Sequence, residues 1–481
     1  MPHRLDPLLR PQSIAVLGAS EREGTVGRNT IENLLKGGYD GGLYAVNPGR
    51  RSVLGVPCYP ALAELPEPVE HVIFAVADTR MDAALDDVIA YGARAATMMS
   101  SLVIEDDSDP PLRERVLAKI RKSGLVVCGA NGMGFYNFAD GVWGCGFRTR
   151  MHRRGGNVAF ISHSGSGMCG IVDVEERIDF NLVVSTGQEL AVSMDEYLDF
   201  ALGMPGTRAV GLFMETARNP AGLVRSLARA HERGIPVVAL KVGRTELSAK
   251  LTVSHSGAIA GEDGVYDAIF DRYGVHRVRD MDELATTLIL FAQPHPVGAG
   301  GLVSIHDSGG ERQLLIDVAH DRGVPLTQIA PATTARLKSL LDPGLPAVNP
   351  LDAWSQGGPH ADSSMQECLA TLMSDPQAAI GAVVHDRIAG GGIYAPYIDY
   401  LRHGHRASGK PAVLVANRQG TGADPLVVEA TREGFPVLDG LESFLRGVRH
   451  LFDHRDFAAR SRGGAERVPD TALARFRTRL A

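Results

Sequence analysis

Residues 13–29 read SIAVLGASEREGTVGRN, and this stretch decides the fold class. Its first five residues are mainly apolar and include the β-branched Ile14 and Val16, which predicts a buried strand. Gly18 follows the strand and opens a glycine-bearing turn, after which a helical pattern begins. A strand that runs directly into a turn and a helix is the first half of a βαβ unit.

Similar β-branched runs recur at intervals of roughly 25 to 40 residues, with helical patterns between them. The first set contains five runs, at 13–18, 43–46, 71–76, 95–99 and 125–128. Two later sets lie at 157–161, 182–185, 209–214 and 236–240, and at 302–305, 379–385, 412–416 and 435–438. Alternating strands and helices favour parallel sheets covered on both faces. We therefore predict an α/β protein with three doubly wound parallel-sheet domains.

Two stretches have the composition of linkers and set the predicted domain boundaries. Residues 148–156 are basic and contain glycine, and residues 293–301 combine proline with glycine. The predicted domains are a Rossmann-like domain at 1–150 and two flavodoxin-like domains at 151–294 and 295–455. An arginine-rich, weakly apolar tail follows at 456–481.

Composition excludes several classes of protein. The formal net charge of the 481 residues is −7, which is too acidic for a general nucleic-acid or anionic-membrane binder. The first residues lack the apolar run of a secretory signal, and no window approaches about 18 uninterrupted apolar residues. The five cysteines are scattered without a C-x-x-C pair, so no metal site is indicated. We expect a cytoplasmic protein that binds neither nucleic acid nor membrane.

The turn after the first strand predicts a phosphate-bearing ligand. Its small residues are Gly18, Ala19, Ser20 and Gly27. Backbone N–H groups and the helix dipole can approach a phosphate closely at such a turn. The strict G-x-G-x-x-G fingerprint is absent, and the second strand ends in Asn47 and Pro48 instead of an acidic residue that would hold a ribose diol. NAD is therefore disfavoured, and a tight turn without a ligand is the alternative.

The tetrapeptide Ser-His-Ser-Gly occurs twice, at 162–165 and at 254–257. Neither copy lies in a G-x-S-x-G motif, so a hydrolase nucleophile elbow is not supported. The first copy precedes a helical pattern, where exposed N–H groups could bind a phosphoryl group. Its candidate phosphate-binding residues are Ser162, Ser164, Gly165 and Ser166. Taken alone, each histidine is more simply an ordinary loop residue.

Three nearby segments resemble the NDP-forming (ADP-forming) acyl-CoA synthetases, which are relatives of succinyl-CoA synthetase. They are KVGRT at 241–245, SHSGAIAG at 254–261 and YDAIFDRYGV at 266–275. Residues 14–20, 46–48 and 129–134 look like the family's CoA-binding domain, and 308–310 with 349–352 look like its last α-subunit domain. The resemblance implies CoA as ligand, bound by Gly18, Ala19, Ser20, Gly27, Asn47, Pro48 and Asn131. It adds Ser308, Gly309 and Gly310 to the phosphate-binding residues.

The same resemblance implies two catalytic residues. His255 matches the histidine that the family phosphorylates, a task that suits an imidazole because it is nucleophilic while neutral near pH 7. Glu215 matches the carboxylate that orients this ring, and a plain charge at a strand end is its alternative. The implied function is an acid–CoA ligase that works through phosphohistidine and an acyl phosphate.

Four positions depart from the family pattern: Ala77, Ala130, His163 and Ala191 replace its proline, proline, glutamine and aspartate. An alternative function is therefore a non-catalytic CoA or acyl-CoA sensor, and a nicotinamide oxidoreductase is a more distant one. The family's ATP-grasp module needs on the order of 200 residues, which the three predicted sheets leave no room for. We therefore expect an α subunit with a separate ATP-grasp β subunit that holds ATP or GTP with Mg, in a hetero-oligomer or homodimer.

Overall fold

The computed structural model describes residues 2–148, 155–256, 263–353, 360–385, 392–420 and 424–462, without the side chains of 252–256 and 461–462. These residues form two compact units. The first holds residues 2–173 and 179–277, and the second holds 174–178 and 278–462. Three mostly parallel sheets flanked by helices are present, which confirms the predicted fold class. No helix in these ranges is long and apolar enough to cross a bilayer.

The first sheet has the order β3-β4-β2-β1-β5-β6-β7 and is parallel apart from the β3–β4 hairpin. Its strands are β1 (Ser13–Leu17), β2 (Gly42–Val46), β3 (Ser52–Val53), β4 (Val56–Tyr59), β5 (His71–Phe74), β6 (Ala95–Met98) and β7 (Val126–Gly129). The helices are α1 (Asp6–Leu9), α2 (Val26–Gly37), α3 (Asp78–Tyr91) and α4 (Leu112–Ser123). The direction of strand addition reverses between β1 and β5, which places the switch point of the sheet beside Gly18.

The second sheet has the order β13-β12-β11-β9-β10-β8, with β8 antiparallel to β10. Its strands are β8 (Gly134–Asn137), β9 (Val158–Ser162), β10 (Phe180–Ser185), β11 (Ala209–Met214), β12 (Val237–Lys241) and β13 (His276–Val278). The helices are α5 (Gly165–Val172), α6 (Met194–Gly203), α7 (Pro220–Glu232), α8 (Glu246–Ser256) and α9 (Asp263–Tyr273). Strand β8 lies N-terminal to the boundary that the sequence predicted at residue 150.

The first two sheets share one hydrophobic core within the first compact unit. Buried Ile14 and Ile73 of the first sheet belong to the same apolar cluster as Ile161 and Val184 of the second. Every residue of β9, β10 and β12 is buried, because helices cover both faces of a parallel sheet. This complete burial explains why these strands read as continuous apolar runs.

The third sheet lies in the second compact unit, is parallel and has the order β15-β14-β16-β17-β18. Its strands are β14 (Gly301–His306), β15 (Leu351–Asp352), β16 (Ala378–His385), β17 (Ala412–Ala416) and β18 (Val437–Asp439). The helices are α10 (Met281–Ala292), α11 (Gly309–Arg322), α12 (Pro331–Lys338), α13 (Ala361–Met373), α14 (Pro396–Ser408), α15 (Pro425–Arg432) and α16 (Leu441–Arg462). The predicted tail begins inside α16, and its residues 463–481 lie outside the described ranges.

One side-chain amide ties the edge of the third sheet together. Asn349 Oδ1 accepts a hydrogen bond from the Ser304 N–H at 3.0 Å. Its Nδ2 donates to the carbonyls of Leu302 and Thr327 at 2.9 and 3.0 Å. A single amide therefore joins β14 to two flanking loops.

We predict that Asn349→Asp destabilises the second compact unit by roughly 2–4 kcal/mol, since the carboxylate keeps the acceptor but removes two donors and faces two carbonyls. Denaturant unfolding of the full chain measures the change. Ser339→Ala is the control, because the Ser339 hydroxyl makes an exposed bond to the Arg336 carbonyl and its loss should change stability by less than about 0.5 kcal/mol. Equal stability of the two variants would contradict this prediction.

Candidate functional site

The carboxyl ends of β9 and β11 bring together Glu215, a predicted catalytic residue, and His163, which stands where the resembled family has glutamine. The direction of strand addition in the second sheet reverses between these neighbours, and ligands of open α/β sheets bind at such a switch point. His163 follows β9, and Glu215 follows β11. Both residues are buried, with 7% and 8% of their surface exposed. The spacing of 52 residues in sequence becomes direct contact because the two strands pair.

Both ring nitrogens of His163 are engaged. Nδ1 accepts a hydrogen bond from the Glu215 backbone N–H at 2.9 Å, and Nε2 lies 2.9 Å from Glu189 Oε1. Because Nδ1 is an acceptor, the ring proton sits on Nε2 and is donated to the carboxylate. His163 is therefore a neutral imidazole held at both nitrogens, which makes it a structural element of the site and not a nucleophile.

Glu189 is a site residue that sequence reasoning missed. Its side chain is 1% exposed, and Oε1 also accepts the Met194 N–H at 2.9 Å. The guanidinium of Arg218 lies 3.9 Å from Oε2. The backbone of Glu189 has φ +52°, a conformation that favours glycine and asparagine. The one available signal was its place two residues before Ala191, in the segment where the resembled family has an acidic residue.

The segment 187–190 is bonded to the end of the first sheet. The Gln188 N–H donates to the Ala130 carbonyl at 2.7 Å, and the Leu190 N–H donates to the Gly129 carbonyl at 2.9 Å. Gly187 has φ +58°, and a Cβ on it would lie 2.1 Å from the Ala130 carbonyl oxygen. Only glycine fits this close approach, so the segment that carries Glu189 is fixed between the two sheets of the first compact unit.

The four predicted phosphate residues of the first Ser-His-Ser-Gly copy lie between the end of β9 at Ser162 and the first turn of α5, and their roles differ. The Ser164 hydroxyl caps the helix by accepting the Gly167 N–H at 3.0 Å. The Ser162 hydroxyl is used inside the turn, where it donates to the Ser164 carbonyl and accepts the Ser164 N–H. The first N–H groups of a helix have no intrahelical acceptor, so those of Gly165 and Ser166 are the ones that suit a phosphoryl group.

The predicted CoA turn is built around Gly18, which has φ +90°. A Cβ at this position would lie 2.6 Å from the Ala75 carbonyl oxygen, and a Cβ on Gly27 would lie 2.8 Å from the Gly18 carbonyl oxygen. Asn47 Nδ2 donates to the Ala19 carbonyl at 2.8 Å, and its Oδ1 accepts the Gly49 N–H at 2.9 Å. Asn47 therefore holds the turn in shape, with Pro48 directly after it and Ser20 accepting the Arg22 N–H at 3.1 Å within the turn.

Asn131 lies at the other end of the same sheet edge. It follows β7, three strands from β1, which corresponds to a separation of about 14 Å. Its φ is +54°, and its N–H donates to the Ser100 carbonyl at 2.7 Å. It is next to Ala130, which contacts the segment 187–190. A ligand that touched both Gly18 and Asn131 would have to be extended along the sheet edge toward the second sheet.

The described contacts do not bring the remaining predicted residues to the site of His163 and Glu215. His255 lies in α8, and its side chain is outside the described residues. Ser308, Gly309 and Gly310 lie in the second compact unit, where Ser308 caps α11 by accepting the Glu311 N–H at 3.5 Å. An Asp352 carboxylate oxygen lies 3.0 Å from where a Cβ of Gly309 would be. A carboxylate at a helix N-terminus takes the position that a bound anion would otherwise use.

Comparisons with known proteins match two domain families to this chain. The CoA binding domain family matches residues 12–137, and the succinyl-CoA ligase like flavodoxin domain matches residues 155–291. The chain therefore carries a CoA binding domain and a succinyl-CoA ligase like flavodoxin domain, and its relatives include ADP-forming acetate–CoA ligases. It is 29% identical over 356 residues to acetate–CoA ligase (ADP-forming) II of Archaeoglobus fulgidus, a match that covers 73% of this chain and 52% of the relative.

Two longer matches cover nearly the whole chain. A trans-feruloyl-CoA synthase from an unknown prokaryotic organism is 25% identical over 469 residues, which cover 95% of this chain and 66% of the relative. The solved dinucleotide forming acetyl-coenzyme A synthetase 1 of Ca. Korarchaeum cryptofilum, in complex with phosphate and ADP, has a TM-score of 0.83 at 22% identity and shows the same fold. That match covers 96% of this chain and 99% of the solved one. The chain spans 66% of the length of the trans-feruloyl-CoA synthase and 52% of that of the Archaeoglobus fulgidus ligase.

The prediction of a separate ATP-grasp β subunit is wrong. The trans-feruloyl-CoA synthase is one longer chain, and a region of it matches 95% of this chain. This chain also covers 99% of the solved synthetase chain. The prediction rested on counting which of the 481 residues the three sheets occupy. Such a count says nothing about how the family divides its modules among chains.

We predict that His163→Gln leaves the fold and the position of Glu189 intact, because an amide also offers one acceptor and one donor. His163→Leu should lower stability by about 1–3 kcal/mol, since the buried Glu189 carboxylate loses a donor and the Glu215 N–H loses its acceptor. Thermal unfolding of the two variants measures the difference. Equal stability of the leucine and glutamine variants would show that the two hydrogen bonds of His163 do not stabilise the fold.

Proposed function

We propose that this chain carries the CoA-binding and phosphohistidine part of an ADP-forming acid–CoA ligase. The observation that carries the proposal is the buried set of His163, Glu189 and Glu215 at the switch point of the second sheet, beside the N-terminus of α5. The match to the CoA binding domain supports CoA as ligand, and the ADP-forming relatives support use of a nucleotide. ATP or GTP with Mg would then supply the phosphoryl group.

The proposed reaction has two steps after His255 is phosphorylated. A carboxylate oxygen of the acid attacks phosphorus, the P–N bond breaks, and an acyl phosphate forms. The CoA thiolate then attacks the acyl carbon, the C–O bond to phosphate breaks, and acyl-CoA and inorganic phosphate leave. N–H groups of Gly165 and Ser166 would hold the transferring group, and Glu215 would orient the His255 ring.

The acid can be identified by assay. The relatives are named for acetate, 4-hydroxybutyrate and trans-ferulate, which differ greatly in size. A panel of CoA thioesters of short aliphatic and aromatic acids, tested for release of CoA in the presence of phosphate, would show which acyl groups this chain accepts. Ala130 lies in the contact between the two sheets and Ala191 directly follows segment 187–190, so the panel includes acids larger than acetate.

We predict that Gly18→Ala weakens CoA binding at least about tenfold, because its Cβ would displace the Ala75 carbonyl and reshape the turn. Isothermal calorimetry measures the affinity. The matched control is Gly24→Ala in the same turn, which has φ +75° but no atom within 4 Å of the added carbon. Tighter binding of NADH than of CoA, or full CoA affinity in the Gly18 variant, would count against this site.

We predict that the protein gains an acid-labile, base-stable phosphate on His255 when it is incubated with an accepted acyl-CoA and radiolabelled phosphate, because both steps are reversible. His255→Asn should abolish labelling, since it removes the nucleophile, whereas Glu215→Gln should slow it. His163→Gln serves as the control that keeps labelling. Peptide mass spectrometry locates the phosphate. Phosphate on His163, or CoA binding without any phosphohistidine, would refute the ligase and leave a CoA sensor.

A further inference from the structure

Lys241 is a buried cation close to the proposed site, and the reaction above does not use it. It is the last residue of β12, pairs in register with Met214 at the end of β11, and is 2% exposed. Its ammonium donates to the Val242 carbonyl and lies 4.7 Å from the centre of the Tyr266 ring. A buried ammonium is costly unless it is paired, so its place here requires a reason.

Tyr266 connects this lysine to Glu215. The ring is fully buried, and the phenolic oxygen accepts the Ala217 N–H at 3.0 Å. The Thr216 side chain hydrogen-bonds the same oxygen. Thr216 and Ala217 directly follow Glu215, so the tyrosine fixes the turn that carries this carboxylate. The backbone N–H of Glu215 in turn holds His163. Lysine, tyrosine and the turn form one packed group.

Among the residues that the structure describes, the charges around Lys241 come from three elements. Glu215 at the end of β11 and Asp263 of α9 are acidic, and Arg277 of β13 is basic. Arg277 is already paired, since it lies 2.6 Å from an Asp263 oxygen and also contacts Asp267. Among the described residues Arg218 also attracts Glu215, and of these two cations Lys241 is the one whose pKa burial brings to about 8.

We propose that Lys241 is a positioning residue, whose buried ammonium fixes the turn of Glu215 through Tyr266 and holds that carboxylate in place for phosphoryl transfer. The inference rests on the proposed function. It goes beyond that function because it makes Lys241 control the rate of histidine phosphorylation. In the proposed reaction Lys241 touches neither CoA nor phosphate.

The proposal implies a specific pH dependence. Burial lowers the pKa of Lys241 to about 8, although Asp263 and Glu215 act in the opposite direction and Arg277 adds to the lowering. The ammonium is charged below this pH and loses its proton as pH rises through it. Its attraction for Glu215 is therefore present at neutral pH and lost on the alkaline side.

The test is the labelling of the full chain with an accepted acyl-CoA and radiolabelled phosphate, measured from about pH 6 to 10. The wild-type rate should fall as pH rises through about 8. Lys241→Met should be at least about tenfold slower at neutral pH and should lack this fall, while its CoA affinity stays unchanged. Tyr266→Phe keeps the ring beneath the ammonium but removes the acceptor for Ala217, so it should be slower and retain the fall.

The control is Lys410→Met in the second compact unit. Burial also lowers the pKa of the partly buried Lys410, whose ammonium donates to the Asp375 carbonyl at 2.5 Å, so the substitution removes a lysine of lowered pKa that belongs to the third sheet's unit. Its labelling should match that of the wild type at every pH. A wild-type rate that stays constant across pH 8, or a Lys241→Met variant with the rate and pH profile of the wild type, would overturn the proposal.

The failures of the two proposals are distinguishable. If the wild type binds CoA but never labels, the proposed function fails and this inference fails with it. If the wild type labels but Lys241→Met behaves identically, this inference alone fails. Should Lys241→Met unfold, as thermal unfolding would show, the wild-type pH profile and the Tyr266→Phe rate decide the question without it.

Discussion

The hydrogen bond from the Glu215 N–H to Nδ1 of His163 joins the ends of β9 and β11 at the switch point of the second sheet. It fixes the imidazole as neutral with its proton on Nε2, and this N–H donates a hydrogen bond to the Glu189 carboxylate. Glu189 can reach the ring only because segment 187–190 is bonded to Gly129 and Ala130 at the end of the first sheet. The position of Glu189 at this ring therefore depends on the backbone contact between the two sheets.

This constraint explains how histidine can stand where the resembled family has glutamine. An amide and a neutral imidazole each present one acceptor and one donor, so either can satisfy the Glu215 N–H and the Glu189 carboxylate. An imidazolium would present two donors and would leave the Glu215 N–H facing another N–H. The same requirement argues against His163 as a phosphoryl carrier, because a nucleophilic nitrogen needs a free lone pair and Nδ1 already uses its own.

The sequence was informative where burial was complete. Most buried parallel strands of the three sheets were predicted because both faces are covered, whereas the short strands β3, β4, β8, β13 and β15 were missed. The turn at Gly18 was predicted because positive φ and close approach leave only glycine. Glu189 was missed because its conformation and its partner His163, 26 residues away, follow from tertiary contacts. Asn47 was predicted as a ligand contact, and the structure uses its amide to hold the turn.

The three sheets show how one architecture can serve different chemistry at equivalent places. Each has its switch point beside a strand that is followed by a helix N-terminus: Gly18 before α2, His163 before α5 and Asp307 before α11. All three helix starts carry small, uncharged residues, which at the third are Ser308, Gly309 and Gly310. At the third, Asp352 lies against Gly309, and burial lowers the pKa of His306 to about 3, so that histidine contributes no positive charge. An anion that suits the first two helix starts would meet a carboxylate at the third, which makes Ser308–Gly310 the weakest of the predicted phosphate sites.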